Sequence, residues 1–179
     1  MPASTEILIE ADAWDEARLT QIAQVAFDAA LADAGLGDAE WSVSVLACDD
    51  ARISELNRDF RAKAGPTNVL SWPSAERGAD TPGGTPNLPD PTSGWDDELG
   101  DIAISHDTCL REAEAAGKPF EQHLTHLLVH ALLHLLGYDH ENDADAALME
   151  AMEVRILASL GHPDPYKEDH EASPANSGR

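Results

Sequence analysis

Residues 123–140 read HLTHLLVHALLHLLGYDH and carry five of the chain's eight histidines: His123, His126, His130, His134 and His140. The residues between them are mostly leucine, a strong helix former, and neither glycine nor proline interrupts the run before Gly137. At about 3.6 residues per turn, spacings of three, four and four bring His123, His126, His130 and His134 onto one stripe of a helix. His130 and His134 stand one turn apart and can reach the same ion. Gly137 suits the left-handed conformation that ends a helix, which turns the chain so that His140 swings back as a third ligand. Three imidazoles with a fourth position left to water are the ligand set of a catalytic zinc, one Zn²⁺ per chain.

The spacing of His130, His134, Gly137 and His140 also fits the metzincin protease pattern at every position but one. That pattern places its general base, a glutamate, directly after the first histidine, and this chain has Ala131 there. A zinc peptidase without its base lacks the group that takes a proton from water. The metal site is therefore expected without the peptidase activity, which ranks last among the readings. His126, one turn before His130, is a candidate proton acceptor, with a role as an orienting or core histidine as the alternative. Asp139 is a candidate to orient His140 or a neighbouring ligand.

Outward from this helix the apolar periodicity switches between two and about 3.6. Alternation predicts strands at 5–11 (TEILIEA), 41–48 (WSVSVLAC), 67–73 (TNVLSWP, ended by Pro73) and 99–105 (LGDIAIS). Helices are expected from Asp12 or Ala13 to about Ala34, from an Asp49 or Asp50 cap through Phe60, and from Asp107 to Gly117. Pro119 is expected at the first position of the histidine helix. A last helix follows His140, with Leu148, Met152, Ile156 and Leu157 inside and Met149 and Met152 as core fillers. The order predicts an α+β fold (a mixed α/β layer) of about four strands with helices packed on them. Residues 74–97, dense in Pro, Gly, Asp and Thr, are expected as a mobile surface loop with almost nothing to bury. Residues 1–161 are expected to form a single domain, and 162–179 a disordered polar tail whose His162 and His170 are not ligands.

At 179 residues with 42% hydrophobic content, the chain has enough apolar material for one core. It has no apolar run of membrane-spanning length and no basic, apolar leader, so a cytoplasmic protein without a membrane partner is expected. Cys48 and Cys109 are expected as reduced, structural thiols. The net charge of −23 repels polyanions in general. Four of the eleven Lys and Arg nevertheless crowd into twelve residues: Arg52, Arg58, Arg61 and Lys63. If they cross the mouth of the metal site, they form a local positive rim that can hold phosphates.

The segments LNRDFRAKAGPTNVLSWP (56–73), LGDIAIS (99–105) and the histidine run at 123–140 resemble, in this order, the signatures of the YbeY family of bacterial metal-dependent endoribonucleases. The resemblance covers most of residues 5–160. It implies zinc held by His130, His134 and His140, and a functional Arg61. It implies single-strand-specific cleavage of RNA in ribosomal RNA maturation at the small-subunit 3′ end and in ribosome quality control. The implied partners are ribosomal RNA precursors, the small subunit with one of its proteins, and a ribosome-associated GTPase, with no DNA. Three positions depart from the family's usual residues: Ala131 for Gly, Asn68 for Asp and Trp72 for Phe. The alternative is an assembly factor that acts mainly by binding, with weak nuclease activity, for which an acidic surface suits basic ribosomal proteins.

Overall fold

The structure is a computed structural model that describes residues 3–92 and 97–166. Its elements follow the order β1 (Ala3–Ile9), α1 (Glu16–Asp33), β2 (Trp41–Cys48), α2 (Asp50–Arg61), β3 (Val69–Pro73), β4 (Glu98–Ser105), α3 (His106–Ala116), α4 (Phe120–Leu135) and α5 (Asp143–Ser159). The four strands form one sheet in the order β1-β2-β4-β3, with β1, β2 and β4 parallel and β3 antiparallel at the edge. This is the expected α+β architecture.

Strand alternation decides which face is covered. Val43, Val45 and Ala47 of β2 and Ile102 and Ile104 of β4 are buried in one cluster with α1 and α4. Helix α1 contributes Leu19, Ile22, Ala23, Ala26, Phe27 and Ala30, a stripe at three- and four-residue spacing. Helix α4 is buried nearly all round, from Leu124 to Leu135, which is why its sequence is apolar beyond one stripe. On the opposite face the cover is thin. Ile53 and Leu56 of α2 lie on Cys48, Leu70 and Ala103 in a small second cluster, and Leu8 and Phe60 stay 60% and 65% exposed.

Local signals set the helix ends. Asp49 caps α2 by accepting from the Arg52 amide, and Asn142 caps α5 through the Asp145 amide. Asp107 does not cap α3, where Ser105 holds the cap position. It is the second residue of the helix, and its carboxylate accepts from the Asp50 amide at 3.0 Å. Pro119 is the cap residue of α4 rather than its first helical residue. Cys48 and Cys109 are buried and free, and burial pushes the Cys48 thiol up to about 12 and raises that of Cys109 as well.

The segment after β3 departs from the expectation of a mobile stretch with nothing to bury. Arg77 is 4% exposed, and its Nη1 donates to the carbonyls of Leu135 at 3.0 Å and Leu99 at 3.4 Å. It thereby ties the segment to the open carbonyls at the end of α4 and to β4. Asn87 closes the excursion at its base, donating its amide to the Arg77 carbonyl at 2.8 Å and its Nδ2 to the Gly78 carbonyl at 2.9 Å. Pro86 and Pro89 are buried. A lone arginine amid Pro and Gly gave no signal of this, because its partners are main-chain carbonyls distant in sequence.

Candidate metal centre

Helix α4 ends where Gly137 takes φ +106°, and the Tyr138 amide bonds back to the Leu133 carbonyl at 3.0 Å. A side chain on Gly137 would meet the Arg77 carbonyl oxygen at 2.5 Å, so glycine is required for space as well as for the turn. The turn delivers His140 to the helix. Ring centroids lie 4.6 Å apart for His130 and His134, 5.0 Å for His134 and His140, and 5.5 Å for His130 and His140. One ligand nitrogen from each of the three lies within 4.8 Å of the others. Asp139 acts on the backbone of this turn, accepting from the His140 amide at 2.7 Å.

The rest of the geometry prepares these rings for a metal. Glu153 of α5 is fully buried, and its Oε2 is 2.8 Å from His130 Nδ1. That contact leaves His130 Nε2 for an ion and fixes the tautomer. Burial first, then the neighbouring His130 and His140, hold the His134 imidazole down at about 4, so it is neutral and can ligate at physiological pH. Burial alone would raise the Glu153 carboxyl, but hydrogen bonds from His126 and His130 outweigh it and hold the group at about 2. Three clustered imidazoles, one backed by a buried carboxylate, fit a borderline-soft divalent ion such as zinc.

His126 does not line the cavity in front of these rings. Its Nε2 lies 2.6 Å from Glu153 Oε1, so it stands on the far side of the carboxylate and positions Glu153. Of the two roles expected from its place on the stripe, proton acceptor or orienting histidine, this contact suits the second. His123, one turn earlier, is paired with Glu112 at 2.8 Å. His162 is outside the cluster and His170 lies outside the described residues. The first residues assigned from sequence to the polar tail also contribute. The Tyr166 hydroxyl donates to Glu153 Oε1 at 2.5 Å, and Lys118 Nζ donates to the Pro165 carbonyl at 3.4 Å.

The histidines open into a cavity of about 960 Å³ that Arg61, Lys63 and Asn68 also line. The expected basic rim of four residues divides into two pairs. Arg52 is paired with Glu10 and Glu55, and Arg58 with Asp59; neither lines the cavity. Arg61 and Lys63 do line it, are exposed, and make no side-chain hydrogen bond or ion pair among the described residues. Two of these partners, Glu55 and Asp59, are local in sequence, and only Glu10 is brought in from the end of another strand.

The three departures from the usual family residues are accommodated. Asn68 Nδ2 donates to Glu112 Oε1 at 3.0 Å, a bond an ionised aspartate there could not make. Ala131 is fully buried behind the histidines. Trp72 meets Phe60 edge to face at 5.7 Å and lines the cavity wall.

Sequence comparison places these residues among known relatives. Residues 6–161 match the family described as Endoribonuclease YbeY. The chain is 56% identical over 165 residues to a protein of Dinoroseobacter shibae named Endoribonuclease YbeY, covering 92% of this chain and 91% of that one. It is 55% identical over 161 residues to a protein of the same name from Jannaschia sp. (strain CCS1), covering 90% and 98%. In structure it is similar to the solution structure of TM1509 from Thermotoga maritima, with a TM-score of 0.57 and 21% identity over 98% of this chain and 99% of that one. At that identity the likeness bears on the fold alone.

Proposed function

The chain belongs to the YbeY endoribonuclease family, and from that premise we propose that it is a zinc-dependent endoribonuclease that cuts single-stranded RNA in the maturation of the small-subunit ribosomal RNA 3′ end. One observation carries the reading: three histidines, one held by the buried Glu153 carboxylate, open into the same cavity as Arg61 and Lys63, cations with no ion pair among the described residues. A peptidase site has no need of such cations, whereas a phosphodiester does.

His130, His134 and His140 hold the ion, which when bound supplies Lewis-acid chemistry that favours attack on a phosphodiester. Arg61 faces the cavity from the end of α2, where its guanidinium can pair with the phosphate and with charge that develops on it. Lys63 adds a second, pliable cation on the same wall. Glu153 keeps His130 in one tautomer and stays behind the rings, outside the cavity lining. His126 and Tyr166 fix Glu153 in turn. The cavity is local relief in a molecule of net charge −23, so RNA is held at this mouth and discouraged elsewhere.

The same charge supports a second reading, in which the acidic surface docks basic proteins of the small subunit and a ribosome-associated GTPase, and assembly depends on that binding. The two buried free thiols support a reducing, cytoplasmic setting, and no described helix is long and apolar enough to cross a membrane. The deciding experiment follows end-labelled single-stranded RNA carrying a precursor ribosomal 3′ end, with wild type beside His134→Ala. Cleavage by wild type alone supports the nuclease. Equal cleavage by both refutes chemistry at these histidines, and an assembly function that survives loss of all three ligands favours the binding reading.

A further inference from the structure

We infer that the open face of the sheet beside the metal cavity is a nucleobase subsite, in which the nucleotide next to the scissile phosphate stacks on Phe60. The inference rests on the reading of the histidine cavity as an RNA-cleaving site. A second cavity of about 550 Å³ lies on this face, with Leu46, Leu56, Phe60 and Trp72 among its walls and the carboxylates Glu6 and Asp101 on its lining. It adjoins the histidine cavity, with Phe60 and Trp72 in the walls of both. Phe60 is the residue before Arg61, at the end of α2, and its side chain contributes little to the core at 65% exposure. Its ring stands edge-on to Trp72, so one face of the pair is open to a flat partner.

Cations stand on one side of Phe60 only. Arg61 and Lys63 line the histidine side, beside the carboxylates Glu76, Asp139 and Glu141, whereas among the described residues the groove has no Lys or Arg in its lining and carries Glu6 and Asp101. Phosphates are therefore drawn to the first side and repelled from the second. A nucleobase is apolar on its faces and hydrogen-bonding at its edge, and it fits what the groove offers: aromatic and leucine walls with exposed carboxylate acceptors. Carboxylates accept from the exocyclic amines of cytosine and adenine, whereas uracil presents a carbonyl at that position. The subsite should then favour C or A over U at the nucleotide adjoining the cut. A basic, apolar peptide would also suit this lining. The base is favoured because Phe60 and Trp72 place the groove beside the cavity that would hold the scissile phosphate.

The test uses the zinc-loaded full chain and short fluorescent 2′-O-methyl oligonucleotides, which cannot be cut through their own 2′-hydroxyl, read by anisotropy across a salt series. Phe60→Ala should weaken binding between about fivefold and a hundredfold, the range of base–aromatic stacking, with no change in the salt slope. Arg61→Ala should lower that slope by roughly one. Phe60→Trp should restore affinity, and Asp101→Asn should erase the preference of C-rich over U-rich oligonucleotides. Wild-type affinity in Phe60→Ala overturns the subsite. So does a Phe60→Ala variant that binds RNA normally but loses a basic apolar peptide that wild type holds. Failure of wild type to bind any oligonucleotide would instead overturn the reading of the histidine cavity.

Discussion

The two halves of helix α4 carry the same residue on the same stripe and put it to opposite uses. In the first half, His123 and His126 each present a ring nitrogen to a glutamate, Glu112 and Glu153. In the second half, His130 and His134 face one another and His140, and among the described residues no carboxylate belongs to that ligand cluster. Glu153 joins the two, holding His126 with one oxygen and His130 with the other. His130 shows how the difference arises: Glu153 holds its Nδ1, and its Nε2 is left for an ion. The stripe alone does not make that distinction; the carboxylates delivered by α3 and α5 do.

The sharpest way to break the contrast is His134→Ala, which should abolish both metal retention and RNA cleavage. The loss should exceed the roughly 100-fold that removal of an orienting partner costs, and metal content measured beside cleavage checks it. Glu153→Gln should leave three ligands in place yet lower zinc affinity by about 10- to 100-fold in competition with a chromogenic chelator, with Tyr166→Phe producing a smaller loss. If Glu153→Gln binds zinc like wild type, the link between the halves carries no energy.

Acidification separates the halves by pH window in the metal-free protein. The His134 imidazole titrates near 4 when folded and near 6.5 when unfolded, so the unfolded chain binds the extra proton between those values. Its effect is a loss of stability as pH falls from about 6.5 to about 4. The Glu153 carboxyl is held at about 2 instead of about 4.5, so its stabilisation is present above 4.5 and is lost between 4.5 and 2. Urea midpoints measured along a pH series should show both windows, with His134→Ala flattening the upper and Glu153→Gln the lower. The smallest effect belongs to the first half alone. His123→Ala should leave cleavage within about twofold and cost on the order of 1 kcal/mol of stability, the worth of one partly buried hydrogen bond.

The legibility of this molecule in its sequence follows the same division. The ligands lie within residues 130–140, where helical spacing and one glycine determine their meeting, so a local rule was enough. β1 and β2 were legible because they alternate against a covered face, whereas β4 is buried along most of its length and read as a short apolar run. Glu153 was missed, although it falls four residues after buried Met149 and three before buried Ile156, which puts a carboxylate on the inward face of α5. A charge in register with core residues was the available signal. Tyr166 gave no periodic signal, standing alone in a Pro-rich stretch, and Arg77 binds carbonyls that sequence patterns do not reveal. The positive rim was half legible: Asp59 and Glu55 stand beside Arg58 and Arg52 in sequence, whereas the Glu10 partner of Arg52 comes from elsewhere in the fold.

The closure of the segment 78–87 by Asn87 bears on how this chain can vary. The excursion is also anchored inside its span, where the Gly83 amide donates to Asp145 Oδ1 at 2.7 Å, while Arg77 holds the end of α4 separately. Residues added around 80–82, between the base and the Gly83 anchor, would then be felt mainly as loop-closure entropy, about 0.6 kcal/mol for each doubling of length, as long as the Gly83–Asp145 bond is kept. Evolution is free to lengthen or shorten the chain at that point, and an inserted epitope or dye-bearing segment there would report from within reach of the catalytic mouth while leaving its ligands in register.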